Sequence, residues 1–206
     1  GCLDGANRIT DAGLAALAPY RVDNAVIMAA GMSSRFAPLS YEKPKALLKV
    51  KGEVLIEREI RQLQAAGIDD ITVVVGYMKE KLFYLEDRFH VKIVINEDYH
   101  RYNNPSTLML VRDRLKNTFI CSSDNYFEQN PFEPYVYQAY YAALYSAGKT
   151  DEYCMVTNRK GRITGVQVGG SDAWYMIGHA YFDRSFSEKF TQILEREYDS
   201  PVTRAG

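Results

Sequence analysis

Cysteine is scarce in this 206-residue chain, and its three thiols, Cys2, Cys121 and Cys154, lie far apart. They have no metal-ligand spacing, so the expectation is reduced thiols in the cytoplasm rather than a disulfide-stapled scaffold. Long apolar runs are missing too. None approaches the ~20 residues of a membrane span, and no signal-peptide pattern opens the chain. Charge of one sign is not in excess: 25 Lys and Arg against 26 Asp and Glu leave a formal charge of −1. That balance argues against bulk electrostatic binding to nucleic acid or to an anionic membrane. The three histidines, His90, His100 and His179, have no nucleophile partner and no metal spacing, and read as structural. No Ser/His/Asp or Cys/His arrangement asks for a covalent intermediate. Internal repeats and low-complexity tracts are lacking as well.

What is present is an ordinary globular composition, 47% hydrophobic, of a length that suits one α/β domain with a real core. Tyrosine is the outlier at 16 residues, usable for packing or for a cationic ligand. Residues 25–29 form a compact apolar run followed by Gly31, the pattern of a buried parallel strand entering a loop. Ile56, Ile60 and Leu63 recur at helical spacing, with Glu57 and Arg61 paired on the outer face and Gly67 as the stop. Residues 71–75, 91–95 and 118–122 read as further strands, and Leu82, Leu85 and Phe89 and residues 107–115 as helices between them. Strands joined by helical crossovers predict a mostly parallel sheet.

After residue 130 the texture changes. Residues 137–145, 153–157, 163–168 and 174–182 read as strands, with a hairpin turn at 159–162 and Tyr140, Tyr141 and Tyr145 as packing residues. A last helix is expected from Ser185, with Glu188 completing a capping box. The predicted fold is therefore a three-layer α/β sandwich whose mixed, mostly parallel sheet has an antiparallel second half. The ends read as unfinished: residues 8–17 look like the last strand and helix of a winged-helix segment. That divides the chain into residues 1–22, the remnant of an upstream segment, and 23–206, the main domain. Nucleic acid would enter only through such an upstream domain.

The chemistry concentrates after the first strand. The string Ala29-Ala30-Gly31-Met32-Ser33-Ser34-Arg35, followed by Lys43-Pro44-Lys45, offers a small-residue loop whose backbone N–H groups can approach a triphosphate. Arg35 adds a planar donor fork and Lys45 a point charge. Asp124 ends the fourth strand, where open α/β sheets place ligands. Its carboxylate suits Mg²⁺, although a lone Asp after a strand is more often a turn former or cap. Asn103, Asn104 and Ser106 suit either the reading of a pyrimidine edge or an Asx turn and helix cap. A cationic ligand, which the tyrosine count allows, would need aromatic faces and a carboxylate. Tyr126, Tyr153 and Trp174 are the candidates for the first, and Glu152 or Asp183 for the second.

The loop string resembles the signature of nucleotidyltransferases that join an NTP to a phosphorylated small molecule, with Ser33 where a second Gly is usual. Leu-Ile-Glu-Arg at 55–58, Ile-Thr-Val-Val-Val-Gly-Tyr at 71–77, Tyr-Asn-Asn at 102–104 and Ser-Ser-Asp-Asn-Tyr at 122–126 narrow this. Together they resemble the LicC-type CTP:phosphocholine cytidylyltransferases over residues 23–198. The resemblance implies a Rossmann-like nucleotidyltransferase fold, CTP and phosphocholine as substrates, and CDP-choline and pyrophosphate as products. It implies Mg²⁺ on Asp124 and an aromatic of the choline pocket at Tyr153. The nucleotide would lie on Ala29, Ala30, Gly31, Ser33 and Ser34. It also implies a second metal-binding Asp near the C-terminus, for which Asp199 is nearest in order but not in its surroundings. The expected reaction is a single in-line displacement with Arg35, Lys45 and Asp124 as the catalytic set. Two alternatives stay open: a sugar-1-phosphate or 2-aminoethylphosphonate nucleotidyltransferase, and a non-catalytic module sensing nucleotide or choline.

Overall fold

The computed structural model describes residues 1–32, 37–100 and 104–200. Alternation within its buried strands builds the fold. In β1 (Asn24–Ala29), Ala25, Ile27 and Ala29 face one way and Val26 the other, because successive side chains leave opposite sides of a pleated strand. A two-residue hairpin, β2 (Lys49–Val50) and β3 (Glu53–Val54), leads into α2 (Leu55–Ala65). After it come β4 (Ile71–Val75), α3 (Tyr84–Phe89) and β5 (Lys92–Ile95). Then follow α4 (Asn104–Leu110), β6 (Thr118–Ser122), β7 (Tyr140–Thr157), β8 (Ile163–Phe182) and α5 (Arg184–Glu197). A short α1 (Asp11–Leu17), capped by Thr10, precedes them all.

The six-stranded sheet has the order β5-β4-β1-β6-β8-β7, with β5, β4, β1 and β6 parallel and β8 and β7 antiparallel. One face packs Ile56, Ile60 and Leu63 of α2 and Leu85 and Phe89 of α3 on Ile27, Val73, Phe119 and Cys121. The other packs Leu108 of α4 and Leu194 of α5 on Val26, Val74 and Ile120. These are the three layers and the antiparallel second half that the sequence predicts.

Four local expectations change. Glu57 and Arg61 do pair at 2.8 Å, but Glu57 is buried, because Tyr84 and Arg88 of α3 also donate to its carboxylate. The cap of α5 is Asp183, whose carboxylate accepts from the Phe186 N–H at 2.8 Å and from the Ala139 N–H at 2.9 Å. Those bonds bind Asp183 into the fold, one N–H on each carboxylate oxygen. The four strands expected after residue 130 are two long ones, β7 and β8. Cys154 bridges both Gln167 and Tyr175, so the outer part of this ribbon lies beside its inner part. Tyr145 lies on the ribbon surface against Trp174, with ring centroids 5.5 Å apart, and both are about half exposed.

Gly178 marks where the ribbon meets the sheet. Its φ is +71°, and a Cβ there would come within 2.1 Å of Ser122 Oγ at the end of β6. Gly178→Ala is expected to cost at least ~2 kcal/mol, roughly 5 °C of melting temperature for a chain this size. Thermal unfolding checks it, and a shift under 1 °C would refute the contact. Beside it His179 is buried among Phe119, Phe127, Phe132 and Tyr140. Burial pulls its pKa down to about 4, so it is a neutral packing group at physiological pH.

Candidate active site

From β1 the chain crosses to β4 on one side and later returns to β6 on the other, so the crevice between the carboxyl ends of β1 and β6 is the switch point of the sheet. A cleft of about 360 Å³ opens there. Its walls are Met28–Gly31 leaving β1, Pro44–Ala46, Asn104 and Thr107 of α4, and Ser122–Asp124 leaving β6.

Backbone contacts hold this ring of loops. Tyr77 N–H donates to Ala30 C=O at 3.1 Å, and a Cβ on Gly76 would lie 2.8 Å from that same oxygen. Asn96, 2% exposed at the end of β5, donates through Nδ2 to Ser106 Oγ at 2.9 Å and Thr107 Oγ1 at 3.2 Å. It thereby fixes α4 so that Asn104 and Thr107 face the cleft.

The chemistry sits on the cleft floor. Lys45 Nζ lies 2.9 Å from Asp124 Oδ2, a contact across 79 residues of sequence, with Lys45 at 19% and Asp124 at 36% side-chain exposure. Beneath it Glu59 of α2 is 2% exposed, and neither of its oxygens has a hydrogen-bond partner among the described residues. Burial first, and the Asp124 charge second, raise its pKa well above the usual carboxylate value.

Residues 25–196 match the MobA-like NTP transferase domain. The chain belongs to this family. Over 176 residues this NTP transferase is 32% identical to the choline-phosphate cytidylyltransferase of Streptococcus pneumoniae, covering 85% of this chain and 77% of that protein. It is 35% identical over 179 residues to the 2-aminoethylphosphonate cytidylyltransferase of Lancefieldella rimae, covering 85% of this chain and 73% of that one. The solved structure of the CTP:phosphocholine cytidylyltransferase LicC from Streptococcus pneumoniae superposes with a TM-score of 0.82 at 33% identity, over 87% of this chain and 78% of that one.

The cleft of this NTP transferase collects part of what the sequence singles out. Ala29, Ala30, Gly31, Lys45, Asn104 and Asp124 line it. Ser33, Ser34, Arg35 and Asn103 lie outside the described residues. Ser106 does not reach the cleft. It is 2% exposed and its hydroxyl is turned to Asn96, which leaves Thr107 as the α4 hydroxyl at a wall that also carries Ser122 and Ser123. The acceptor candidates are not part of the cleft lining: Glu152 and Tyr153 lie on exposed stretches of β7 and Trp174 on exposed β8. Tyr126 carries the Arg58 guanidinium at 4.8 Å from its ring centroid. No group of three or more His, Cys, Asp or Glu side chains with metal-site geometry occurs among the described residues. None of their helices is long and apolar enough to cross a membrane.

Thr107, Asn96, Glu59 and Gly178 escape sequence reading as site residues. Only Asn96 leaves a trace there, as an amide directly after a β-branched strand. The others acquire meaning from residues distant in the chain.

Proposed function

We propose that this protein transfers CMP from CTP to phosphocholine, giving CDP-choline and pyrophosphate. The observation that carries the reading is the Lys45–Asp124 pair on the floor of a cleft at the sheet's switch point, in a chain of this family. A phosphate monoester is already ionised at neutral pH, so its oxygen attacks the α-phosphorus without a general base, and pyrophosphate leaves in line. Catalysis then consists of positioning and charge neutralisation. The Ala29–Gly31 backbone gives the triphosphate close approach. Lys45 neutralises charge developing around the α-phosphorus. Arg35, with Ser33 and Ser34, takes the β- and γ-phosphates in this reading, and Asn103 and Asn104 face the cytosine edge.

Asp124 fits Mg²⁺ as a hard oxygen donor. It supplies one carboxylate, and this ion takes most remaining positions from water and substrate phosphates. When bound, the ion supplies Lewis-acid polarisation of the nucleotide phosphates. Tyr153 and Trp174, with Glu152, are the acceptor-side residues of the proposal. For Tyr126 the Arg58 contact favours a different part, argued below.

A second acceptor, 2-aminoethylphosphonate, is favoured by the 35% identity to the cytidylyltransferase of that name. Pyrophosphate release with Mg²⁺, four NTPs and phosphocholine, 2-aminoethylphosphonate or glucose 1-phosphate separates the readings. The expected result is release selective for CTP and phosphocholine. Selectivity for the phosphonate changes the acceptor only. Silence with every pair, with CTP still raising the melting temperature, would replace transfer with nucleotide sensing.

A further inference from the structure

The segment after Asp124 carries no regular secondary structure, yet it holds the carboxylate on which the proposed reaction depends. Its backbone is held mainly from α2. Arg58 Nε and Nη2 donate to Phe127 C=O at 3.0 and 2.8 Å, and Nη2 also reaches Glu128 C=O at 2.8 Å. Arg58 Nη1 is anchored on Glu53, and the plane of the guanidinium covers the Tyr126 ring. Gln62, one helical turn on, adds a third bond to Phe127 C=O at 3.0 Å, and Asn130 Nδ2 donates back to Gln62 C=O. On the far side Asn125 Nδ2 donates to Ile177 C=O at 2.8 Å.

We propose that Arg58 is a positioning residue for Asp124, setting the carboxylate's place in the cleft through residues 125–128 and through the face of Tyr126. The inference rests on the reading of Asp124 given above. Guanidinium chemistry suits the task. A rigid fork serves two carbonyls and an aromatic face at once, whereas an ammonium on a flexible stem serves one. Arg58 is only 19% exposed, so these bonds compete little with water. Tyr126 thereby belongs to the support of the metal-side carboxylate, not to a cage for the acceptor's ammonium. Neither residue touches the reacting atoms in this scheme.

The test compares Arg58→Ala, Arg58→Lys and Gln62→Met with the unaltered protein by two readouts. Amide hydrogen exchange over residues 124–128 of the isolated protein should quicken at least tenfold in both Arg58 variants, and less in Gln62→Met. The Mg²⁺ concentration for half-maximal pyrophosphate release should rise about 10-fold, in the range of losses seen when a ligand's supporting bonds are removed. The KM for phosphocholine should move less than twofold. Lys51 pairs with the Glu128 carboxylate at the surface and lies farther from the Tyr126 ring at 5.7 Å; because such exposed pairs hold little, Lys51→Ala should leave both readouts in place. A purely structural Arg58 would lower the melting temperature and leave the Mg²⁺ requirement unchanged. Unchanged exchange across 124–128 in a folded Arg58 variant overturns the proposal. If no substrate pair releases pyrophosphate, the functional reading fails, while the exchange comparison still decides whether Arg58 holds the segment.

Discussion

Asp124→Asn is expected to lower turnover by about 10²–10³-fold, the usual cost of removing one charge-organising group from a preorganised site. The substitution keeps the shape of the side chain and removes the anion. Stability should hardly respond. The Lys45–Asp124 pair is partly exposed, and such pairs contribute about 0–1 kcal/mol. Turnover and thermal unfolding of the same preparation therefore diverge: large loss in one, a shift of ~2 °C or less in the other. A folded Asp124→Asn protein with turnover within threefold of the original would remove Asp124 from the catalytic set, and with it the main support for the proposed chemistry.

Glu59 is expected to make the protein less stable as pH rises, through a buried acid without a hydrogen-bond partner among the described residues. The sign follows from its raised pKa. The folded chain keeps the proton that the unfolded chain, with an ordinary value near 4.5, gives up. The contribution is complete below that unfolded value. It is lost above it by ~1.4 kcal/mol per pH unit until the folded pKa is reached. Glu59→Gln removes the titration, and Glu59→Met also removes the unsatisfied polar group, worth ~1–3 kcal/mol. Chemical unfolding from pH 5 to pH 8 should show the gap between Glu59→Gln and the original protein widening with pH. Parallel curves would mean that Glu59 titrates alike in both states, and the burial argument would fall. Because the Asp124 charge is the second cause of the raised Glu59 pKa, Asp124→Asn should end the pH-dependent loss at a lower pH, with the slope below that point unchanged. The two predictions are thus joined through one pair of carboxyl groups.

The elements that carry their own signal were legible in the sequence. β1, β4 and β6 are continuous β-branched or apolar runs, α2 has helical periodicity, and Gly67 stops it with φ at +77°. Lys45 and Asp124 were readable because a loop motif and a strand end each have a chemical reason to hold them. What could not be read depends on neighbours far along the chain. Glu57 looks like half of a surface pair until α3 covers it. Ser106 looks like a ligand hydroxyl until Asn96 claims it. Asp183 wins the cap of α5 from Ser185 because the chain enters the helix two residues earlier than the motif suggests. Arg58 was inside a recognised string, but no spacing in that string reveals that its fork closes on carbonyls about 70 residues away.

The central place of β1 also sets the order in which the sheet can be assembled. Both of its neighbours come later in the chain, and the contact between Asn24 and Thr118 spans 94 residues. Until β6 arrives, one edge of this apolar strand is bare and offers a template to the same strand of another molecule. The β7–β8 ribbon is in the opposite situation. Its tip, turning at Gly161, pairs residues close in sequence and can form early. A refolding chain therefore carries its most aggregation-prone strand uncovered for longest. The yield of soluble protein is then a race between β6 of the same molecule and β1 of the next.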